Sequence, residues 1–155
     1  MKGIAAAGIA ALVTASASLA GVSTASPSAY RTKLNGMCRA NTAEIKRLDA
    51  SAKRAEKAKD GRAWGVAVGR SLRVILSEDA AIESEPIPVQ LRPEMVPAVA
   101  RLKQADRIIH QAVQRFVVGD LNGGIVAMRK LGPLAPRVNT HLDAAGLRDC
   151  GSNQS

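Results

Sequence analysis

Apolar side chains recur at every third or fourth position along most of this 155-residue chain, from about residue 27 onward. That spacing places them on one side of an α-helix, whereas a half-buried strand would alternate every second residue. The composition agrees, because alanine, the best helix former, supplies 28 residues, while Phe, Tyr and Trp occur once each. The sequence therefore predicts an all-α fold.

The first two predicted helices cover residues 27–59 and about 62–82, and Asp60-Gly61 separates them. A break near Asn41 is an alternative, because Asn41 and Glu44 have the spacing of a capping box. The apolar side of the first helix is Tyr30, Leu34, Met37, Cys38, Ile45, Leu48 and Ala52. That of the second is Trp64, Val68, Leu72, Ile75 and Ile82.

Three prolines between residues 86 and 93 exclude a continuous helix there. We expect residues 83–93 to form an extended link, with Ile87, Val89 and Leu91 packing across the end of a helical bundle. The third helix should begin with Pro93, where the missing N–H is not needed, and Pro97 should bend its first turns. Gly119 should end it. Its apolar side is Met95, Val99, Leu102, Ile109, Val113 and Phe116.

A fourth helix is predicted from Asn122, as its N-cap, to Gly146, with a kink at Gly132-Pro133. Gly146 followed by Leu147 is typical of a helix end closed by a glycine in the left-handed conformation. Four helices with short connections predict an up-down-up-down four-helix bundle with a Pro-rich link between helices two and three. The apolar side of this helix is Ile125, Met128, Leu131, Leu134, Val138 and Leu142.

Residues 1–25 have the pattern of a signal peptide. Lys2 precedes an apolar run at residues 4–13, and small residues then lead to Ala25, after which we expect cleavage; Ala20 and Ala29 are alternatives. A retained membrane anchor is the rival interpretation, but the apolar core is half the roughly 20 residues that span a bilayer. We therefore predict a secreted or extracytoplasmic protein of the cell envelope, with one domain at residues 26–150 and a polar tail at residues 151–155.

The two cysteines favour a disulfide, because exported chains meet an oxidising environment. Two free thiols are the alternative. Cys38 lies near the start of the first predicted helix and Cys150 lies four residues past Gly146. Since an up-down bundle brings those two places to one end, the predicted Cys38–Cys150 bond and the predicted topology support each other.

Both ends of the mature chain carry short patterns that are similar to small exported helical proteins of actinobacteria. These are Tyr30-x-x-Lys33-x-Asn35-x-x-Cys38 and, near the other end, Gly146-Leu147-Arg148-Asp149-Cys150-Gly151. The resemblance implies export, helices and the disulfide. It implies no site residue.

The sequence contains no recognisable set of catalytic or metal-binding residues. His110 and His141 are predicted to lie too far apart to share a metal, and cysteines in a disulfide leave no zinc ligand set. There is no G-x-S-x-G, and the glycine-rich segment 119–124 lacks the Lys-Ser/Thr of a phosphate-binding loop. We expect no catalytic residue, no metal and no cofactor, so an enzyme is the least favoured class.

Four carboxylates in eight residues form an acidic cluster, at Glu78, Asp79, Glu83 and Glu85. Calcium binding is one interpretation, because calcium takes oxygen ligands, but the spacing is not that of an EF-hand. We favour local ion pairs with the basic residues expected at the same end of the bundle, which are Arg31, Lys33, Arg39 and Arg148.

Positive charge is concentrated in the first predicted helix. Residues 30–59 hold nine basic and three acidic residues, a net charge of +6 in a mature chain of +8. A cationic face attracts polyanions, which at a cell envelope are anionic wall polymers or a membrane surface. A solvated helix face is the alternative. Nucleic acid is disfavoured because few aromatic side chains could stack on bases. The predicted face is Arg39, Lys46, Arg47, Lys53, Arg54 and Lys57.

Trp64 and Phe116 are predicted at the same end of the bundle, where they either form an apolar patch or cap the core. The sequence thus favours an exported, non-catalytic protein that binds an anionic envelope component through its first helix. The alternative is a carrier of a small apolar ligand held between the helices. The oligomeric state stays open.

Overall fold

A computed structural model describes residues 26–152, which form five α-helices and a short 3₁₀-helix and contain no β-strand. The predicted all-α class is therefore confirmed. The predicted signal peptide at residues 1–25 and the last three residues of the tail lie outside the described part. In chain order the elements are α1 (Pro27–Lys57), α2 (Gly61–Ser84), the 3₁₀-helix (Val89–Leu91), α3 (Arg92–Val117), α4 (Leu121–Arg129) and α5 (Ala135–Ala144).

Helix α1 is continuous past Asn41, so the alternative of a break at that residue is wrong. The Ser26 hydroxyl caps its start by accepting a hydrogen bond from the Ala29 N–H at 3.1 Å, and Pro27 occupies the first turn. Asn41 does not cap a helix; its side-chain amide donates to Glu78 on α2 instead. The helix ends at Lys57, two residues earlier than predicted, because the chain reverses through Lys59 at a φ of 56°.

Helix α2 starts where the Asp60 carboxylate accepts a hydrogen bond from the Ala63 N–H at 2.9 Å. It runs two residues past the predicted end at Ile82. Residues 85–88 then lead to the 3₁₀-helix, in which Leu91 is buried together with Pro88, while Ile87 packs against the same core. Val89 is more than half exposed, so the expectation that it packs across the bundle end is wrong.

Helix α3 begins at Arg92, one residue before the predicted start, so Pro93 lies in its first turn, and the helix continues through Pro97. Gly119 ends it in the left-handed region, at a φ of 81°. The predicted stop is therefore confirmed.

The fourth predicted helix is wrong in two respects. Asp120 caps α4, because its carboxylate accepts a hydrogen bond from the Gly123 N–H, whereas Asn122 is inside the helix. The segment also forms two helices, since residues 130–134 make turns rather than a kink. Pro133 has no backbone N–H to continue the hydrogen bonds of a helix. Pro136 then lies in the first turn of the next helix, α5.

The helices enclose two groups of buried apolar side chains. Helix α1 packs against α2, α2 against α3, and α3 against both α4 and α5. The first group surrounds the disulfide and includes Tyr30, Leu34, Ile82, Leu91, Met95, Leu142 and Leu147. The second lies toward the α1–α2 and α3–α4 turns and includes Leu72, Ile109, Val113, Phe116 and Ala127. Among the helices of residues 26–152, none has the length and hydrophobicity that a membrane span requires.

Candidate functional site

The chain ends are joined by the predicted disulfide between Cys38 on α1 and Cys150, and both cysteines are buried. Asn35 makes two hydrogen bonds beside it: its amide donates to the Gly146 carbonyl at 2.9 Å, and its carbonyl accepts from the Asp149 N–H at 3.1 Å. Gly146 has a φ of 82°, which confirms the left-handed glycine predicted there. The disulfide and these contacts fix the C-terminal segment to α1.

The six residues of the predicted basic face all lie on α1, but their charges are not equivalent. Arg39 forms an ion pair with Asp149, and Arg47 forms one with Glu44. Arg54 donates a hydrogen bond to the Ser51 hydroxyl. The three remaining residues have no ion pair with any residue of the described chain; they are Lys46, Lys53 and Lys57.

These three lysines, which we call the lysine row, lie along one line of the helix. At about 100° per residue, Lys53 and Lys57 point within roughly 20° of Lys46, and the row is about 16 Å long. All three side chains are exposed. Asp49 and Glu56 flank the row on one side, so its positive charge is strongest toward the side that carries Arg54.

The acidic cluster is only partly the set of ion pairs that was expected. Glu85 pairs with Lys33, as predicted. Arg31 instead donates to the backbone carbonyl of Ala145 at 2.7 Å. Glu78 is buried and accepts a hydrogen bond from Asn41. Asp79 has no basic partner in the described chain, so the expectation of local ion pairing is wrong for that residue.

Asp79 is hydrogen-bonded to a second carboxyl group, that of Asp106 on α3. Burial, followed by this bond and the charges of Asp106, Glu78 and Glu83, raises the pKa of Asp79 from 3.8 to about 9. Burial and Asp106 also raise the pKa of Glu83, while Lys103 lowers it. Asp79 is therefore protonated at neutral pH and donates to Asp106.

Asp106 is a residue that the sequence analysis missed. It lies between Leu102 and Ile109 on the apolar side of α3, as Asp79 lies between Ile75 and Ile82 on α2. A carboxylate within an apolar stripe is the signal that could have identified both. The facing partner could not be read from the sequence, because helical periodicity does not specify how two helices are rotated against each other.

The two histidines occupy different settings. His110 on α3 is exposed, whereas His141 on α5 lies 3.3 Å from a Glu94 carboxylate oxygen and 2.9 Å from an Arg101 guanidinium nitrogen. Three possible metal ligands do lie close together in the described chain, namely Cys38, Glu78 and Cys150. Because the two sulfurs are bonded to each other, they are not thiolate ligands.

Trp64 and Phe116 come together as predicted, edge to face, with ring centroids 5.7 Å apart. Phe116 is buried, and both rings belong to the second apolar group, so the pair caps the core. Gly124 passes directly beneath the Phe116 ring: a Cβ there would lie 2.6 Å from Phe116 Cζ. The glycine-rich segment 119–124 thus allows helix capping and ring packing.

Comparison with known protein families, with curated proteins and with solved structures finds no match to this chain. The resemblance to exported actinobacterial proteins stays a prediction.

Proposed function

We propose that this protein is exported, is not a catalyst, and binds a phosphate-rich anionic component of the cell envelope through the lysine row of α1. The observation that carries this proposal is the alignment of Lys46, Lys53 and Lys57, all exposed and without an acidic partner in the described chain. A row of fixed cations matches a polymer or surface with repeating negative charge.

Export is supported by the disulfide, since such bonds persist outside the reducing cytoplasm.

We also propose that α4 and α5 together take the place of the fourth helix in an up-down arrangement. Two observations support this. The α1–α2 turn and the start of α4 line one groove, which contains Asp60, Trp64 and Asn122. Leu91, in the Pro-rich link between α2 and α3, packs in the same apolar group as Cys38 and Cys150. A nitroxide pair at residues 59 and 122 should then give a short spin–spin distance, and a distance near the length of the bundle would contradict the arrangement.

The binding proposal is tested with a triple variant that removes the row, Lys46→Gln, Lys53→Gln and Lys57→Gln. Each lysine near an anionic surface contributes about 1 kcal/mol, so affinity should fall about 100-fold. Binding is measured by co-sedimentation with phosphatidylglycerol vesicles and by titration with long-chain polyphosphate. The two probes distinguish a membrane surface from a soluble polymer.

The matched control removes the same charge from other exposed positions, with Arg107→Gln, Lys130→Gln and Arg137→Gln. It should retain most of the affinity, and wild-type binding should weaken as ionic strength rises. Equal loss in the two triple variants would mean that net charge, rather than the row, causes binding. Absence of binding to both probes would refute the proposal.

A further inference from the structure

A groove of about 570 Å³ opens beside α2, between that helix and the C-terminal end of α3. Its size falls within the range of small-molecule sites, which are roughly 300–1,000 Å³. Its walls include Phe116 and Leu121. None of the lysine row borders it, so the groove and the row are separate surfaces.

Two glycines of α2 form the inner side of the groove. Gly65 lies so close to α4 that a Cβ there would be 2.6 Å from Leu121 Cδ2. Gly69 faces Phe116 with more room, since its Cβ would lie 3.7 Å from Phe116 Cβ, an ordinary contact. Both glycines line the groove, and their lack of a Cβ lets Leu121 and Phe116 approach α2 closely. A large residue at position 69 would extend into the groove.

The charge of the groove is entirely positive. Arg62, Arg70 and Arg73 line it, and no acidic residue does. All three are exposed, and none of their side chains has an ion pair or hydrogen bond to another residue of the described chain. Residues 61–77 contain no aspartate or glutamate, so nothing on this part of α2 neutralises them. Arg70 and Arg73 are one helical turn apart and can bind the same anionic group.

The rim of the groove is apolar. Val66, Val117 and Val118 line it and are 48%, 64% and 76% exposed. Exposed valines next to unpaired arginines suit a ligand that has both an alkyl part and an anionic group. A purely polar anion would leave the valines in water, and a neutral alkyl compound would leave the guanidinium groups unpaired.

We propose that this groove binds a free single-chain anionic amphiphile, a molecule with a phosphate or carboxylate head and an alkyl tail. Arg70 and Arg73 hold the head group, and Arg62 adds positive charge farther along the groove. The tail lies over Gly69, against Phe116, Leu121 and the exposed valines. The site is independent of the binding proposed for α1.

Dodecyl phosphate, used below its micelle concentration, is the test ligand. Binding is followed by the fluorescence of Trp64, the only tryptophan, which contacts the Phe116 wall. Amide resonances in ¹⁵N-labelled protein locate the ligand, and Gly65, Gly69, Val117 and Gly119 should shift. We expect saturable one-to-one binding, at least about tenfold tighter than that of inorganic phosphate or of dodecyl maltoside.

The variant Arg70→Gln/Arg73→Gln should weaken binding of dodecyl phosphate at least about tenfold, because it removes both charged donors. Gly69→Leu should abolish binding of dodecyl phosphate, because the added side chain fills the groove. If that variant does not fold, Val117→Gln at an exposed position replaces it and should weaken binding by removing a contact to the alkyl tail. The control Arg107→Gln/Arg137→Gln and the triple lysine variant should bind normally.

Three results would overturn the proposal. The first is unchanged affinity in the Arg70/Arg73 variant, and the second is equal affinity for the uncharged dodecyl maltoside. The third is a response to phosphatidylglycerol vesicles without any to monomeric dodecyl phosphate, which would assign the groove to a membrane surface.

Discussion

Asp79 on α2 and Asp106 on α3 join two helices through a hydrogen bond between their carboxyl groups. The bond requires one shared proton, and the neighbouring charges of Glu78 and Glu83 oppose its loss. Because Asp79 is buried, its ionised form is costly in this position. The junction between α2 and α3 therefore depends on a proton that an ordinary aspartate would have lost at neutral pH.

This pairing makes the free energy of unfolding depend on pH. The folded protein keeps the Asp79 proton up to about pH 9, whereas the unfolded chain releases it near pH 3.8. The folded state therefore binds more protons between these values, and its stability should fall as pH rises, by at most about 1.4 kcal/mol per pH unit. Urea denaturation across that window measures the slope.

The variant Asp79→Asn should reduce that slope and be more stable than the wild type at pH 8, because an amide donates to Asp106 without needing a proton. Asp49→Asn, on the exposed side of α1, is the matched control and should keep the wild-type slope. If Asp79→Asn kept the pH dependence of the wild type, the Asp79 carboxyl of the wild-type protein would have to ionise normally.

The Cys38–Cys150 disulfide should add several kcal/mol to the free energy of unfolding. Cys38 and Cys150 are 112 residues apart in sequence, so the bond restricts a long loop in the unfolded chain. We expect Cys38→Ala/Cys150→Ala to lower the free energy of unfolding by about 4–5 kcal/mol. Urea denaturation with and without a reductant measures this, and an unchanged midpoint on reduction would contradict it.

Asn35 should stabilise the C-terminal segment through its two backbone contacts. Removing them with Asn35→Ala leaves the Gly146 carbonyl and the Asp149 N–H without this partner, at a cost of about 1–3 kcal/mol. Thermal unfolding measures the loss. Asn122→Ala is the same chemical change at an exposed site and should be nearly neutral, which would also support Asp120 as the cap of α4.

Gly124 should not tolerate even one added methyl group. Gly124→Ala places a Cβ against Phe116, so the ring must move, and we expect a loss of about 1–3 kcal/mol with altered Trp64 fluorescence. Gly36→Ala on α1 is the control, since the nearest atom to its Cβ is 3.9 Å away. That change should stabilise the helix by about 0.5–1 kcal/mol. Equal effects of the two substitutions would contradict the packing described here.

The fold could be predicted from the sequence where a local signal controls the outcome. The apolar period predicted helices, Gly119 and Gly146 predicted two left-handed helix ends, and the only two cysteines predicted the bond between them. The prediction of a single fourth helix was wrong because Gly132, Pro133 and Pro136 interrupt the helix, although the apolar side chains keep a helical spacing across them. The predicted cap was wrong because Asn122 and Asp120 are both good caps, and it is the Asp120 carboxylate that accepts the hydrogen bond from the Gly123 N–H.

The candidate sites were less predictable, because they depend on which side chains meet across helices. Counting charge correctly placed the basic residues on α1 but could not reveal that Asp149, 110 residues away in sequence, pairs with Arg39. The arginines of α2 were overlooked since their region has a smaller net charge. Only the structure shows that they line one groove together with Gly69, Phe116 and three exposed valines.

The central proposal is that the lysine row holds the exported protein at the envelope, and its most direct test is retention in cells that produce it. We expect the wild-type protein and the reversed control Arg107→Glu/Lys130→Glu/Arg137→Glu to remain in the cell-wall and membrane fraction. Lys46→Glu/Lys53→Glu/Lys57→Glu should appear in the medium. Retention of that variant at the wild-type level would contradict the proposal.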